Sequence, residues 1–161
     1  MQRTLYLMCG LPYSGKSTLA LRLSRQTGFP IVSIDEIRER LGFYWGKHEA
    51  SPADWKRIYQ AVEEQITRYL GANTSVIYDS ANHDKASRDR FAELARNWNA
   101  HVIVLFVDTP VEVVEDRRES NLRSSERPHI PDHFYEAALA SFEAPTAEET
   151  VIRAAETTVL P

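Results

Sequence analysis

The chain has 161 residues, 43% of them apolar and 26% charged, and a net charge of −4 at pH 7. These values fit one globular domain spanning residues 1–161 and exclude collagen, a coiled coil and wholesale disorder. No apolar run approaches the ~18–20 residues of a membrane span, and the chain lacks the basic surface carried by proteins that track long nucleic acids. The elements then read in chain order. Leu5–Cys9 (LYLMC) is a short apolar run stopped by Gly10, as in a buried strand, and is too short for a signal peptide. Cys9 is the sole cysteine, so no internal disulfide is possible; a small buried hydrophobe in a reducing, cytoplasmic setting is expected. Ser17–Gln26 carries Leu19, Ala20, Leu21 and Leu23 and stops at Gly28, a helix with a glycine terminator. Ile31–Ile34 is a second strand, and Asp35–Leu41 a short helix ending near Gly42. Residues 43–50 are aromatic and irregular.

Ser51 and Pro52 open the next helix as N-cap and first residue, and it runs to about Leu70. Ser75–Tyr78 is a third strand ending at Asp79. Asp84–Trp98 is a helix with Phe91, Leu94, Ala95 and Trp98 on one face. Val102–Val107 is the most apolar strand. Pro110 opens a helix over 110–119, residues 120–130 read as a loop, Pro131–Phe142 as a helix and Thr150–Ala155 as an edge strand. Strands alternating with helices at this length predict a parallel sheet with helices on both faces.

Gly10-Leu11-Pro12-Tyr13-Ser14-Gly15-Lys16-Ser17 matches G-x-x-x-x-G-K-[ST] in full, between an apolar strand and a helix that continues with Thr18. Glycines there permit a tight loop whose amides turn inward on a triphosphate, and the following helix adds the positive end of its dipole. Lys16 supplies a point charge to the outer phosphates, and the Ser17 hydroxyl a ligand to Mg²⁺. The guanine-reading motif of a GTPase is missing: the third strand continues as Asp79-Ser-Ala-Asn82. A hexameric ATPase machine needs a larger domain and a helical lid. What fits is a small kinase using ATP and Mg²⁺.

The stretches GLPYSGKSTLA, VSIDEIRERLG, VIYDSANHDKASR and VDTPVEVVEDRR, with FEAPTAEE as a weaker fifth, resemble the small P-loop kinases described as AAA-family ATP-binding proteins. The layout is similar to polynucleotide 5′-kinases, zeta toxins and chloramphenicol phosphotransferase. The resemblance implies a three-layer α/β/α P-loop fold with a five-stranded parallel sheet of order 2-3-1-4-5 and a short lid near 117–130. In that order the third strand lies beside the first. Asp79 is then the carboxylate placed to hold the water shell of Mg²⁺ with Ser17, a strand-end cap being the alternative reading. The Asp-Glu of IVSIDE, although it looks like the metal strand, belongs to the acceptor side. The resemblance assigns its D-x-x-R, Asp35 and Arg38, to the acceptor hydroxyl and to an anionic acceptor group. One helical turn presents both residues to the same space; the alternative is a helix cap and a surface arginine.

The same resemblance assigns Asn82 to the acceptor pocket and Arg88 to the phosphates, with a capping Asn and a solvated helical Arg as alternatives. Fifteen of the nineteen basic residues are Arg, and Arg117, Arg118, Arg123 and Arg127 cluster at the position of a kinase lid. Arg117 is expected on adenine, Arg123 on the transferred phosphoryl as a catalytic cation, and Arg127 near the acceptor. Tyr44, Trp45, Trp55 and Tyr59 can stack an aromatic acceptor or simply fill core. His129 and His133 have no third ligand nearby, so no zinc site is expected. The expected reaction is transfer of a γ-phosphoryl to a hydroxyl of a small-molecule or nucleotide-like acceptor, without extended nucleic-acid binding or a membrane. A polynucleotide 5′-hydroxyl kinase and a slow ATP-hydrolysing regulatory or toxin-like module are the alternatives.

Overall fold

A computed structural model describes residues 2–155; Met1 and residues 156–161, which the single-domain reading includes, lie outside the described residues. Its centre is the first apolar run. β1 (Thr4–Cys9) pairs in parallel with β3 (Val76–Asp79) on one edge and β4 (His101–Val107) on the other. β2 (Ile31–Ser33) joins outside β3 and β5 (Val151–Ala154) outside β4, so the order is β2-β3-β1-β4-β5, as expected. Successive side chains of β1 enter opposite faces. Leu5, Leu7 and Cys9 meet Ile58, Val62, Ile66 and Leu70 of α3 (Pro52–Gly71), and Phe91 and Ala95 of α4 (Lys85–Asn97). Met8 meets Leu19, Ala20 and Leu23 of α1 (Lys16–Thr27) on the other face. Both faces are therefore covered, which is why the strand shows no polar alternation.

α3 starts where its sequence says it should. The Ser51 hydroxyl accepts from the Asp54 amide while the Asp54 carboxylate accepts from the Ser51 amide, with Pro52 in the first turn. α2 (Ile34–Arg40) starts one residue earlier than expected, because the Ser33 hydroxyl accepts from the Glu36 amide at 3.3 Å. Asp35 is thus relieved of the capping role. α5 (Val111–Ser124) runs past its expected end, so the loop begins only at Ser125, whose left-handed φ of 53° breaks the helix. The polar Ser120–Ser124 stretch stays helical because Asn121 turns inward. Its amide donates to the Arg127 carbonyl at 3.2 Å and its carbonyl accepts from the Arg127 amide at 3.0 Å. α6 (Asp132–Ala140) ends before Phe142, which packs on Phe106. No helix among the described residues is long and apolar enough to cross a membrane.

Arg88 corrects a sequence expectation. It is 1% exposed and turned into the core rather than toward the P-loop. Nε donates to Glu149 at 2.7 Å, and Nη1 donates to the Asn82 and Glu143 carbonyls at 3.0 and 2.9 Å. It therefore pins the segment leading into β5 to α4 and to the loop after β3; Glu143 and Glu149 lie in the FEAPTAEE stretch. Burial works against the Glu149 carboxylate, but the hydrogen bonds and charge of Arg88 outweigh it and hold its pKa below the ordinary carboxylate value.

Replacing Arg88 by Ala strands a carboxylate and two carbonyls, and should cost about 3–5 kcal/mol of unfolding free energy in urea. A depressed carboxylate pKa stabilises the fold above the unfolded-state pKa, and that stability is lost as pH falls through the folded-state value. The acid-dependent loss below the ordinary Glu range should therefore shrink in Arg88→Ala.

Candidate functional site

The site lies at the carboxyl ends of β1 and β3, where open parallel sheets bind ligands. The loop after β1 closes tightly: a Cβ at Gly10 would sit 2.8 Å from the Val107 carbonyl oxygen and 2.9 Å from the Ser14 hydroxyl. Gly15, at a left-handed φ of 102°, caps α1 without any side-chain hydrogen bond, which leaves the first amides of the helix open to an anion. Tyr13 also adopts a left-handed φ, of 63°. Three outside contacts hold the loop. The Gly10 amide donates to the Ala81 carbonyl at 3.1 Å, the Thr109 hydroxyl to the Ser14 carbonyl at 2.7 Å, and Arg117 to the Tyr13 carbonyl at 3.1 Å.

Lys16 is buried and its Nζ donates to the Leu11 carbonyl at 2.6 Å. Burial pushes its ammonium pKa down, against the pull of Asp79 and Asp35; the nearby Arg127 charge pushes it the same way as burial. Asp79 ends β3 and lines the larger cavity beside Ser17. Burial pushes its carboxyl pKa up, opposed by Ser17 and Lys16 and reinforced by Asp35 and Glu36. Asp35 is one strand farther out on α2, with its side chain 68% exposed.

Two cavities meet at this edge. The larger, about 730 Å³, is lined by Lys16, Ser17 and Asp79 and also by Asp35, Arg38 and Trp55. The smaller, about 500 Å³, lies over the start of α1 between Gly15, Thr18, Arg117 and Asn121. Tyr13 and Arg127 border both. Lys16, Ser17, Asp79, Asp35 and Arg127 are therefore brought together, and Arg117 and Thr18 share the second chamber. Asn82 lines the larger cavity, but its side-chain amide donates to the Met8 carbonyl at 2.7 Å and so fastens the β3 loop to β1. Arg88 lines neither cavity.

Arg123 is exposed on α5 and lines neither cavity, whereas Arg127, after the chain reversal at Ser125, lines both. Asn121, which ties down Arg127, and Phe134 and Glu39, which line the larger cavity, were not foreseen. Asn121 carries no sequence signal, since an Asn inside a polar helix end looks solvated. Phe134 had one: an aromatic on the short helix that follows the arginine cluster. Of the four aromatics singled out, Trp45, Trp55 and Tyr59 line the cavity, whereas Tyr44 is exposed. Hard oxygen groups at the Ser17–Asp79 pair suit Mg²⁺, which prefers such ligands and keeps several waters.

The AAA domain family matches residues 5–145. The yeast Saccharomyces cerevisiae adenylyl-sulfate kinase is 29% identical over 161 residues, covering 94% of this chain and 76% of that protein. The mouse 2′,3′-cyclic-nucleotide 3′-phosphodiesterase is 29% identical over 106 residues, 64% of this chain; the chain spans only 23% of that protein's length. Chaetomium thermophilum Kti12, solved with ADP-AlF3, superposes with a TM-score of 0.74 at 25% identity, covering 94% of this chain and 88% of that one. The chain belongs to the AAA domain family, and its architecture is that of a small P-loop kinase.

Proposed function

We propose that the chain is an ATP- and Mg²⁺-dependent phosphotransferase that moves the γ-phosphoryl of ATP to a hydroxyl of a small-molecule or nucleotide-like acceptor. The observation that carries this reading is that two carboxylates line one cavity in unlike surroundings: Asp79, desolvated and under the influence of Ser17 and Lys16, and Asp35, exposed on α2. The similarity to an adenylyl-sulfate kinase and to an ADP-AlF3-bound protein supports it. Ser17 and, through water, Asp79 would hold Mg²⁺, which when bound offsets phosphate charge. Lys16 and the open amides of α1 hold the outer phosphates. The smaller cavity receives the nucleoside, with Arg117 beside it.

Transfer forms a bond from the acceptor oxygen to the γ-phosphorus and breaks the bond to the departing ADP oxygen. Asp35 orients the acceptor hydroxyl and takes its proton as the bond forms, late in a loose transition state. Arg127 is the cation that meets the developing charge, and the loop 125–131 acts as the lid that carries it and excludes water.

Asp35→Asn keeps side-chain size and removes no cap, so it should fold normally and bind ATP as the wild type does. Acceptor phosphorylation should fall about 10²-fold or more, with slow ATP hydrolysis much less affected. A loss of ATP–Mg²⁺ affinity instead would make Asp35 a metal-site residue. Unchanged transfer would leave a nucleotide-binding module. Arg127→Ala should lower kcat more than it weakens ATP binding, while Arg123→Ala changes neither; single-turnover transfer and nucleotide titration of the two variants check this ordering.

A further inference from the structure

The end of the larger cavity away from Lys16 has a composition of its own. Phe134 of α6, Trp45, and Trp55 and Tyr59 of α3 form a continuous series, with successive ring centroids 4.5, 6.0 and 6.2 Å apart. Ala137 and Ala138 extend this wall and offer no polar side-chain group. A flat ring seated on these surfaces replaces water there without burying an unpaired hydroxyl.

The charges at this end point the same way. Arg38, the cation beside this wall, faces the carboxylates of Asp35 and Glu39, while Lys16 and Arg127 line the cavity elsewhere. Arg38 is 2% exposed. Its Nη1 donates to the Phe43 carbonyl at 2.7 Å, and its Nη2 faces Asp35 and Glu39, each at 3.4 Å. Its guanidinium carbon lies 4.3 Å from the centre of the Trp45 ring. Arg38 thus holds Trp45 and is shared between two carboxylates, while its Nε is buried without a hydrogen-bond partner among the described residues. One cation against two carboxylates leaves the Arg38 cluster locally negative, which opposes a phosphate or sulfate seated against it.

We propose that the acceptor is an uncharged or cationic alcohol with an aromatic body, its ring on the Trp45–Trp55–Tyr59 wall and its hydroxyl at Asp35. This rests on the phosphotransfer reading and narrows it. A nucleic-acid 5′ end, with its adjacent 3′-phosphate, is disfavoured by the same charges.

The test separates binding from transfer. The probes are the four ribonucleosides and 2-phenylethanol as uncharged aromatic alcohols, adenosine 3′-monophosphate as an aromatic body with an anion, and ribose and glycerol as polyols. With Mg²⁺ and a non-hydrolysable ATP analogue present, quenching of tryptophan fluorescence reads acceptor binding; with ATP, phosphorylated product reads transfer. At least one uncharged aromatic alcohol should bind about tenfold or more tighter than the monophosphate and the polyols. Trp55→Leu should lose that preference and Trp55→Phe should restore it, with analogue affinity unchanged in both. Glu39→Gln should narrow the gap between adenosine and its 3′-monophosphate about threefold, because it removes one opposing charge. Tighter binding of the monophosphate or a polyol, or no quenching by any uncharged aromatic alcohol, overturns the inference. Transfer to one of those disfavoured acceptors in that case leaves the kinase reading standing. Aromatic binding in the expected order with no transfer to any hydroxyl supports the acceptor class and defeats the kinase reading instead.

Discussion

The chemistry at the sheet edge depends on which strand pairs with β1. Because β3 and not β2 lies beside it, the strand that ends in Asp79 finishes next to the loop that ends in Ser17, and both residues line one cavity. The strand that leads to Asp35 is displaced outward by one strand spacing, roughly 4.8 Å. Two carboxylates that look alike in sequence, each just past an apolar strand, are thereby sorted into different surroundings. One is half-buried, with its pKa raised by desolvation. The other, lining the same cavity, is open to solvent. Reversal of β2 and β3 would exchange those surroundings.

The two ends of the cavity are built with different stiffness. The phosphate end is fixed from three directions: β3 through the Ala81 carbonyl, β4 through Thr109, and α5 through Arg117. These bonds hold amides and Lys16 in place before any charge arrives, which is what preorganised electrostatic stabilisation requires. The acceptor end is assembled from side chains on α2, α3 and α6 and on the irregular 43–50 segment. Its shape rests on ring contacts and on the Arg38–Trp45 stack. Tyr13 connects the two regimes: its ring packs edge-on against Tyr135 of α6, and its hydroxyl accepts from the Ile130 amide. A shift of α6 is felt at the phosphate loop through Tyr13 and through Leu11, which clusters with Tyr135.

Much of this was legible in the residues. The P-loop declares itself because a tight loop, a charge and a hydroxyl must occur at fixed spacing. The cap at Ser51 and the two-faced apolar strands were also plain, since local propensity and burial agree there. The strand order came from a resemblance to small kinases, not from pattern, because no periodicity reveals which strand a third strand pairs with. The arginines show where local reading stops. Arg88 looks like a solvated helical residue, yet its carboxylate partner lies 61 positions away. Arg123 and Arg127 look interchangeable in a polar run, but the helix continues through one and reverses before the other. Arg38 has an i, i+3 carboxylate that any helical reading finds, but the Trp45 ring that fixes its orientation follows from the fold of an irregular segment.

The division of labour between Asp79 and Asp35 is the central claim, and metal affinity tests it most directly. Mn²⁺ can stand in for Mg²⁺ and be counted by electron paramagnetic resonance in the presence of a non-hydrolysable ATP analogue. Asp79→Asn should weaken Mn²⁺ binding to the protein–nucleotide complex several-fold, while Asp35→Asn leaves it at the wild-type value. Release of the metal by Asp35→Asn, with Asp79→Asn unaffected, would contradict the account and make the strand before α2 the metal strand.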